Sequence, residues 1–336
     1  MRHKVSLFLG LGALLLSHSA LLAQRPTYHQ TAKIAIGGEG FWDYLTVDSA
    51  AHRLYVTRGT HVVVIDTLTN AVVGDIPNTP GVHGVAIAPK LNKGFTSNGR
   101  ENTVTVFDLK TLKELQRIPV GKNPDAILYD PATTRLFTFN GSSNDVTALD
   151  AGSGRVLGTI PVGGKPEFCA TNEKGTIYAN IEDTSEIVAI NATALTVKSR
   201  WSLKPGEEPT GLAFDKTHRQ LFAVCGNEKM VVVDADSGKV LATPAIGKGP
   251  DACVFDSKLH IAISSNGRDG TLTIVDTKAG FKPVATIPTQ IGARTMILDP
   301  QTHKIYLITA KFKPAVSGQR YPSMEPNSAV ILVYSP

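Results

Sequence analysis

A unit of about 42 residues recurs along this chain of 336 residues, and this repetition restricts its fold more than any other feature. The most regular copy spans residues 122–163. It contains four short runs rich in β-branched and aromatic residues, at Ala126–Tyr129, Arg135–Phe139, Asp145–Leu149 and Val156–Pro161. Turn-forming pairs such as Asp-Pro, Asn-Gly and Gly-Gly separate the runs, which is typical of consecutive β-hairpins. Because a lone four-stranded meander cannot bury both faces, each unit needs neighbours of its own kind.

The third run of the unit can be followed through the whole chain. Its copies begin at Val62, Val104, Val146, Ile187, Val231, Leu272 and Val330. Six copies end in an acidic or amide residue, namely Asp66, Asp108, Asp150, Asn191, Asp234 and Asp276. We expect this side chain to accept hydrogen bonds from backbone N–H groups of the following turn, so we interpret it as structural.

Counting the runs predicts how the chain closes. The first, second and third runs each occur seven times, whereas only six fourth runs follow a third run. The missing fourth run matches Thr31–Gly38 near the N-terminus. The sequence therefore predicts an all-β, seven-bladed β-propeller of four-stranded antiparallel blades, closed by an N-terminal strand that completes the last blade. We expect one propeller domain over residues 24–336, with blades that start near residues 43, 83, 125, 167, 210, 251 and 294.

The N-terminus resembles a secretory signal. Arg2 and Lys4 precede an apolar run over residues 5–16, and small residues follow up to Ala23. This order predicts a signal peptide over residues 1–23 and an exported protein, periplasmic or extracellular. No later apolar run is long enough to cross a membrane, so we expect no membrane span.

Charge and cysteine content argue against several classes of protein without excluding nucleic acid as a partner. Without Arg2 and Lys4, basic residues fall from 34 to 32 against 29 acidic residues, which gives no concentrated basic face for nucleic acid. Three cysteines at spacings unlike a metal site (Cys169, Cys225 and Cys253) are expected to be small buried side chains. We expect a monomer whose partner is a small molecule or a protein.

Three stretches carry a resemblance to a known family. They read RLYVTRG at 53–59, VIDTLTNAVVGDIPN at 64–78 and NPDAI at 123–127. With these stretches the chain resembles the YVTN family of seven-bladed β-propellers, and among them the exported bacterial YncE-like proteins, over roughly residues 28–336. The resemblance implies the propeller fold and a role in binding partners, and DNA binding is associated with YncE-like proteins. The weak net charge argues against DNA here.

One aligned position precedes the first strand of every blade, where loops of a propeller open onto the mouth of the central channel. We call this set the mouth ring, and it consists of Asp43, His83, Asp125, Glu167, Thr210, Asp251 and Arg294. Carboxylates roughly 8 Å apart repel by about 2 kcal/mol at an effective dielectric near 20. Pairing with Arg294 or a bound divalent cation would relieve this repulsion. Metal-ligand candidates for Ca²⁺, Mn²⁺ or Zn²⁺ are Asp43, His83, Asp125, Glu167 and Asp251. The simpler alternative is that these side chains bond to turn backbone and water.

Further ligand contacts are expected around the mouth ring. Trp42 precedes the first ring residue, and Arg58, Arg100 and Arg268 lie on loops farther out. These arginines are either solvated hairpin tips, which we favour, or a clamp for an anionic ligand. The loop of residues 310–328 is about ten residues longer than its counterparts and predicts a lid, with Phe312 and Tyr321 as contacts.

Two functions remain open from the sequence. The first, which we favour, is a binding or interaction scaffold without catalysis, since GxSxG, HExxH, P-loop and CxxC motifs are all absent from the sequence. The alternative is a metal-assisted hydrolase or lyase that resembles the lactonase propellers. It would use His83 or Glu167 as general base and Arg294 as oxyanion partner. A divalent cation is the one cofactor candidate, and a redox-linked accessory role ranks last because no CxxCH motif is present.

Overall fold

The computed structural model describes residues 27–38, 40–314 and 323–336. The chain enters through β1 (His29–Ala35) and then builds blade after blade in sequence order. Blade one contains β2 (Leu45–Asp48), β3 (Arg53–Thr57), β4 (Val62–Asp66) and β5 (Val72–Ile76). Blade two contains β6 (Val82–Ala88), β7 (Lys93–Asn98), β8 (Thr103–Asp108) and β9 (Glu114–Pro119), with a 3-10 turn at Pro89–Leu91. Blade three contains β10 (Pro124–Asp130), β11 (Arg135–Asn140), β12 (Asp145–Asp150) and β13 (Val156–Pro161).

The other four blades follow the same plan. Blade four contains β14 (Pro166–Thr171), β15 (Thr176–Ile181), β16 (Glu186–Asn191) and β17 (Thr196–Ser202). Blade five contains β18 (Pro209–Asp215), β19 (Gln220–Cys225), β20 (Lys229–Asp234) and β21 (Val240–Ala242). Blade six contains β22 (Pro250–Asp256), β23 (Ile261–Asn266), β24 (Thr271–Asp276) and β25 (Lys282–Pro288). Blade seven contains β26 (Met296–Leu298), β27 (Ile305–Thr309) and β28 (Val330–Ser335).

All seven sheets are four-stranded and antiparallel, which confirms the predicted seven-bladed propeller. Blade seven has the order β1–β28–β27–β26, so the N-terminal strand does complete the last blade. In this pairing Ile34 lies opposite Ile331 and Ala35 opposite Val330. The strand ends at Ala35, earlier than the predicted Gly38. Gly37 and Gly38 both have positive φ, at 56° and 72°, and turn the chain away from the sheet.

The core lies between neighbouring blades. Phe137 and Phe139 of β11 are fully buried and belong to the same cluster as Ile177 and Ile181 of β15 in the next blade. The second and third strands are buried along most of their length because they are covered on both faces, whereas the fourth strands carry many exposed residues. This pattern explains why an isolated unit would leave apolar surface in water. Cys169, Cys225 and Cys253 are free and buried in these interfaces, as expected.

The turn after each third strand confirms the structural role of its acidic residue. Asp66 Oδ1 accepts hydrogen bonds from the backbone N–H of Leu68 at 2.9 Å and of Thr69 at 2.7 Å. Asn191 accepts the equivalent pair from residues 193 and 194 at 2.9 Å each. Four residues after the acidic or amide residue, the chain turns through positive φ at Asn70, Leu112, Gly154, Leu195, Gly238 and Gly280.

The Asn at the end of several second strands has a role in addition to the predicted one. The Asn-Gly pair at residues 140 and 141 predicts a tight hairpin, and the hairpin between β11 and β12 confirms it. In the structure the side chain of Asn140 is fully buried. Its Nδ2 donates to Thr147 Oγ1 at 2.9 Å and to Asp145 Oδ1 at 2.6 Å, and its Oδ1 accepts from Thr138 Oγ1 at 3.0 Å. Asn98 and Asn266 make the same kind of network in blades two and six.

We expect Asn140→Leu to lower the free energy of unfolding by about 3 kcal/mol or more, since it leaves buried partners without hydrogen bonds. Urea titration followed by circular dichroism would measure the loss. Ser142→Ala, on the exposed turn of the same hairpin, should change stability by less than about 0.5 kcal/mol. Equal stability of the Asn140→Leu variant and the wild type would contradict a structural role for this network.

Within the described part of the chain, no helix is long and apolar enough to cross a membrane. The predicted signal peptide lies outside the described residues.

Candidate binding site at the channel mouth

A cavity of about 1000 Å³ opens at one end of the central channel, and we call it the mouth cavity. The loops before the first strands supply many of the residues that line this cavity, since each blade begins at this end of the channel. Six residues of the mouth ring are among the described residues that line it, namely Asp43, Asp125, Glu167, Thr210, Asp251 and Arg294. The aligned position therefore brings most of the ring together in one cavity.

His83, the seventh member of the ring, lies beside the cavity between two carboxylates. Its Nδ1 is 2.7 Å from Asp43 Oδ2 and 3.6 Å from Asp125 Oδ1. Burial alone would lower the pKa of His83, but the hydrogen bond to Asp43 and the charges of Asp125 and Asp43 outweigh it and raise the pKa. Burial, together with the charge of Asp43, raises the pKa of Asp125 to about 6.

Glu167 belongs to a second charged group, centred on Lys165. Lys165 Nζ lies 2.5 Å from Glu167 Oε1 and also contacts Glu182 Oε2. Burial is the main cause that raises the pKa of Glu167 to about 9, and the charge of Asp125 adds to it, against the lowering effect of Lys165. Burial therefore favours the protonated form of Glu167, whereas the contact with Lys165 favours the charged form.

Asp251 and Arg294 form the third group. Arg294 Nε is 3.4 Å from Asp251 Oδ2, as expected from the need to relieve repulsion in the ring. Burial raises the pKa of Asp251 to about 6 despite the opposing charge of Arg294. Thr210 lies between the second and third groups in the ring, and its hydroxyl contacts the carbonyls of Val224 and Pro250.

Apolar side chains form another part of the cavity wall. Trp42 is 6% exposed, and its ring centre lies 6.1 Å from that of Phe312 on the long loop. Phe312 pairs with Met324 through an isolated β-bridge, so both arms of that loop reach the cavity. The tip of the predicted lid, including Tyr321, lies outside the described residues.

The three arginines of the outer loops lie in different environments. Arg268 lines the mouth cavity. Arg100 is exposed and is not among the described residues of the cavity wall. Arg58 is 1% exposed, and its Nη2 donates to the carbonyl of Gly37 at 3.0 Å, which fixes the segment after β1. Burial lowers the pKa of Arg58. The described structure thus does not bring these arginines together as a clamp.

The mouth ring does not include several residues that line the cavity. A second aligned position, two residues before each ring member, identifies three of them. Two residues before each member of the ring, most blades have Gly or Asn, but three have larger or charged side chains, Phe41, Lys165 and Glu208. All three line the mouth cavity. The position just after the ring is Gly, Ala or Thr in five blades but Tyr44 in blade one and Phe168 in blade four.

Tyr44 and Phe168 meet in the channel. Their ring centres are 5.0 Å apart in an edge-to-face arrangement. Both side chains line a second cavity of about 230 Å³ farther along the channel, and Tyr44 also lines the mouth cavity. Tyr44 therefore lies at the boundary of the two cavities, whereas Phe168 lines only the second.

Comparisons with known proteins identify the fold and leave the family open. No protein-family model and no curated protein matches the chain. Among solved structures, hydrazine synthase of Kuenenia stuttgartiensis is similar, with a TM-score of 0.72 and 15% sequence identity. The match covers 82% of this chain and 93% of that chain. At this identity the likeness supports a β-propeller fold and carries no information about function.

Proposed function

We propose that the chain is an exported propeller of the YVTN type that binds a small organic cation in the mouth cavity. The observation that carries the proposal is the cavity itself, whose lining combines charged side chains with the aromatic side chains of Phe41, Trp42 and Phe312. Desolvated titratable groups in a concave site are typical of ligand-binding sites. Export rests on the N-terminal residues, and a purified protein whose intact mass excludes residues 1–23 would support it.

The charges of the cavity favour a positively charged ligand. The described lining residues include six carboxylic acids, Asp43, Asp125, Glu167, Glu182, Glu208 and Asp251, and three cationic side chains, Lys165, Arg268 and Arg294. Even with Glu167 protonated, carboxylates outnumber cations. Trp42, Phe41 and Phe312 offer aromatic faces that attract a desolvated cation and cover an apolar body.

Tryptophan fluorescence can test binding in this cavity, because the chain has only two tryptophans. Trp42 lines the mouth cavity, whereas Trp201 lies on β17, an outer strand of blade four. We expect an organic amine that binds here to change the emission of wild type and of Trp201→Phe. The change should be lost in Trp42→Phe, and affinity measured by calorimetry should fall by up to about tenfold, because the smaller ring of Phe attracts a cation less strongly than indole.

The ligand screen should compare aromatic and aliphatic amines with carboxylic acids of similar size. Binding that prefers carboxylic acids, or a fluorescence change that depends on Trp201 in place of Trp42, would contradict the proposal. The same samples distinguish the hydrolase or lyase alternative. A binding protein returns its ligand unchanged, whereas an enzyme would convert an ester, lactone or amide ligand into products visible by mass spectrometry.

A further inference from the structure

We infer that Asp43, His83 and Asp125 bind one divalent first-row metal ion, such as Mn²⁺ or Zn²⁺, at the edge of the mouth cavity. This inference goes beyond the proposed function and does not depend on it, since it rests on contacts among Asp43, His83 and Asp125. Asp43 and Asp125 also belong to the carboxylic acids of the mouth cavity, whereas its aromatic side chains take no part in this site. The inference narrows the five metal-ligand candidates of the sequence to three. Glu167 contacts Lys165, and Asp251 faces Arg294, so both are paired with cations.

The three side chains bring their ligand atoms close together. One atom of each, the His83 nitrogen and a carboxylate oxygen of Asp43 and of Asp125, lies within 4.8 Å of the others. Nδ1 of His83 is 2.7 Å from Asp43 Oδ2 and 3.6 Å from Asp125 Oδ1. Ligands about 2.0–2.2 Å from a metal ion are roughly 3.0–3.5 Å apart, so small side-chain shifts would admit the ion.

Asp125 supplies an independent observation. Its side chain is buried, with 8% of the residue exposed. Its Oδ1 is buried and has no hydrogen-bond partner among the described residues. Its nearest cationic neighbour is His83 Nδ1 at 3.6 Å, and the Tyr44 hydroxyl is a further polar group that stabilises the carboxylate. A buried carboxylate oxygen without a hydrogen-bond donor of its own is still costly. An ion held between Asp125, His83 and Asp43 would provide the missing partner and offset the repulsion between the two carboxylates.

The surrounding strands hold these ligands in place. His83 lies in β6 and Asp125 in β10, so their backbones are fixed by the sheets of blades two and three. The backbone N–H of Asp43 donates to Thr57 Oγ1 at 3.0 Å. The other imidazole nitrogen of His83 lies near Gly99, where a Cβ atom would come within 2.7 Å of it. Only glycine at this position leaves the imidazole its observed orientation.

The ligand set indicates the kind of ion. One imidazole nitrogen and two carboxylate oxygens suit Zn²⁺ and Mn²⁺, whereas Ca²⁺ takes six to eight oxygen ligands. Asp43 and Asp125 also line the mouth cavity, so the positions that the protein leaves open would face its interior. The competing arrangement without metal is a protonated His83 shared by the two carboxylates.

Electron paramagnetic resonance of Mn²⁺ can decide between these arrangements. The purified full chain would be stripped with EDTA, exchanged into chelator-free buffer and titrated with Mn²⁺ alone. We expect the signal of free Mn²⁺ to be suppressed up to one equivalent and to reappear on addition of Zn²⁺. Asp125→Asn and His83→Gln should each weaken Mn²⁺ binding by about a hundredfold or more, since a direct ligand matters at least as much as its supporting contacts.

Asp251→Asn is the matched control, because it removes a carboxylate of the same ring that faces Arg294 and should leave affinity for Mn²⁺ within about threefold of wild type. Circular dichroism would establish that each variant is folded, and Asp43→Asn replaces any variant that is not. Stoichiometric binding that survives Asp125→Asn, or no binding by folded wild type, would overturn the inference. Trp42→Phe should still bind Mn²⁺, so failure of the organic-cation proposal would leave this result unchanged.

Discussion

A chain that begins at residue 37 is expected to aggregate on expression and not to yield a soluble propeller. The truncation removes β1, the outer strand of blade seven. It also removes Tyr28, whose hydroxyl donates to the carbonyl of His303 at 2.9 Å. The strand left at the edge, β28, has the sequence VILVYS and its residues up to Tyr334 are buried in the intact protein. A long apolar edge strand with unpaired backbone groups is a template for intermolecular pairing.

A point substitution tests the same closure in a soluble protein. Ile34 is the buried residue of β1, at 5% exposure, and pairs with Ile331 across the seam. We expect Ile34→Ala to lower the free energy of unfolding by about 2–4 kcal/mol, as for other large-to-small substitutions in cores. The exposed neighbour Lys33→Ala should change it by less than about 0.5 kcal/mol. Equal urea midpoints for the two variants would show that β1 contributes little to closure.

Blade number and closure could be predicted from the sequence because both depend on local patterns. Each third strand ends in a residue such as Asp66 whose side chain organises the next turn, and the structure shows those hydrogen bonds. Turn chemistry of this kind acts over a few residues and is visible in one unit. The circular order followed from counting, because Thr31–Gly38 is the one fourth run without a preceding third run.

The contacts within the mouth ring could not be predicted in the same way. An aligned position says that seven side chains surround one channel, but it does not say which of them pair. His83 lies between Asp43 and Asp125, whereas Glu167 turns to Lys165, a residue two positions before it in the chain. Such choices depend on side-chain rotamers and on the radius of the ring, neither of which a repeat period contains.

Asn140 shows that a correct local signal can leave the role of a side chain unpredicted. The Asn-Gly pair is a strong hairpin signal, and a hairpin does follow. The Asn, however, lies at the end of the strand and is buried in a network with Thr138, Asp145 and Thr147. The Asn-Gly pair predicted the hairpin correctly but did not predict that the Asn side chain is buried. Burial at this position depends on packing against the neighbouring blade.

Departures from the repeat are concentrated at the mouth cavity. Most blades have Gly or Asn two residues before the ring, but Phe41, Lys165 and Glu208 replace them and line the cavity. Tyr44 and Phe168 replace smaller residues in the channel, and the long loop adds Phe312. Repetition suffices for a scaffold, so positions that break it near the mouth cavity are the ones to substitute when the proposed ligand binding is tested.

Glu167→Gln is expected to stabilise the protein at alkaline pH. The pKa of Glu167 is raised from 4.5 to about 9, chiefly by burial. Below pH 4.5 the carboxyl is protonated in both the folded and the unfolded chain, so its ionisation does not affect the free energy of unfolding. Between pH 4.5 and 9 the unfolded chain has lost this proton while the folded chain keeps it, so stability falls as pH rises. The loss is on the order of 1 kcal/mol per pH unit at this one group.

Urea titrations from pH 5 to pH 9, with EDTA present, would measure the effect. The difference in unfolding free energy between Glu167→Gln and wild type should grow with pH in favour of the variant and reach several kcal/mol by pH 9.

The control is Glu173→Gln in the same blade, whose exposed side chain pairs with Lys216 at the surface. Its stability curve should run parallel to that of wild type, because an exposed ion pair contributes little to stability. Parallel curves for Glu167→Gln as well would mean that Glu167 is charged in the folded protein at neutral pH, and that Lys165 compensates its burial in full.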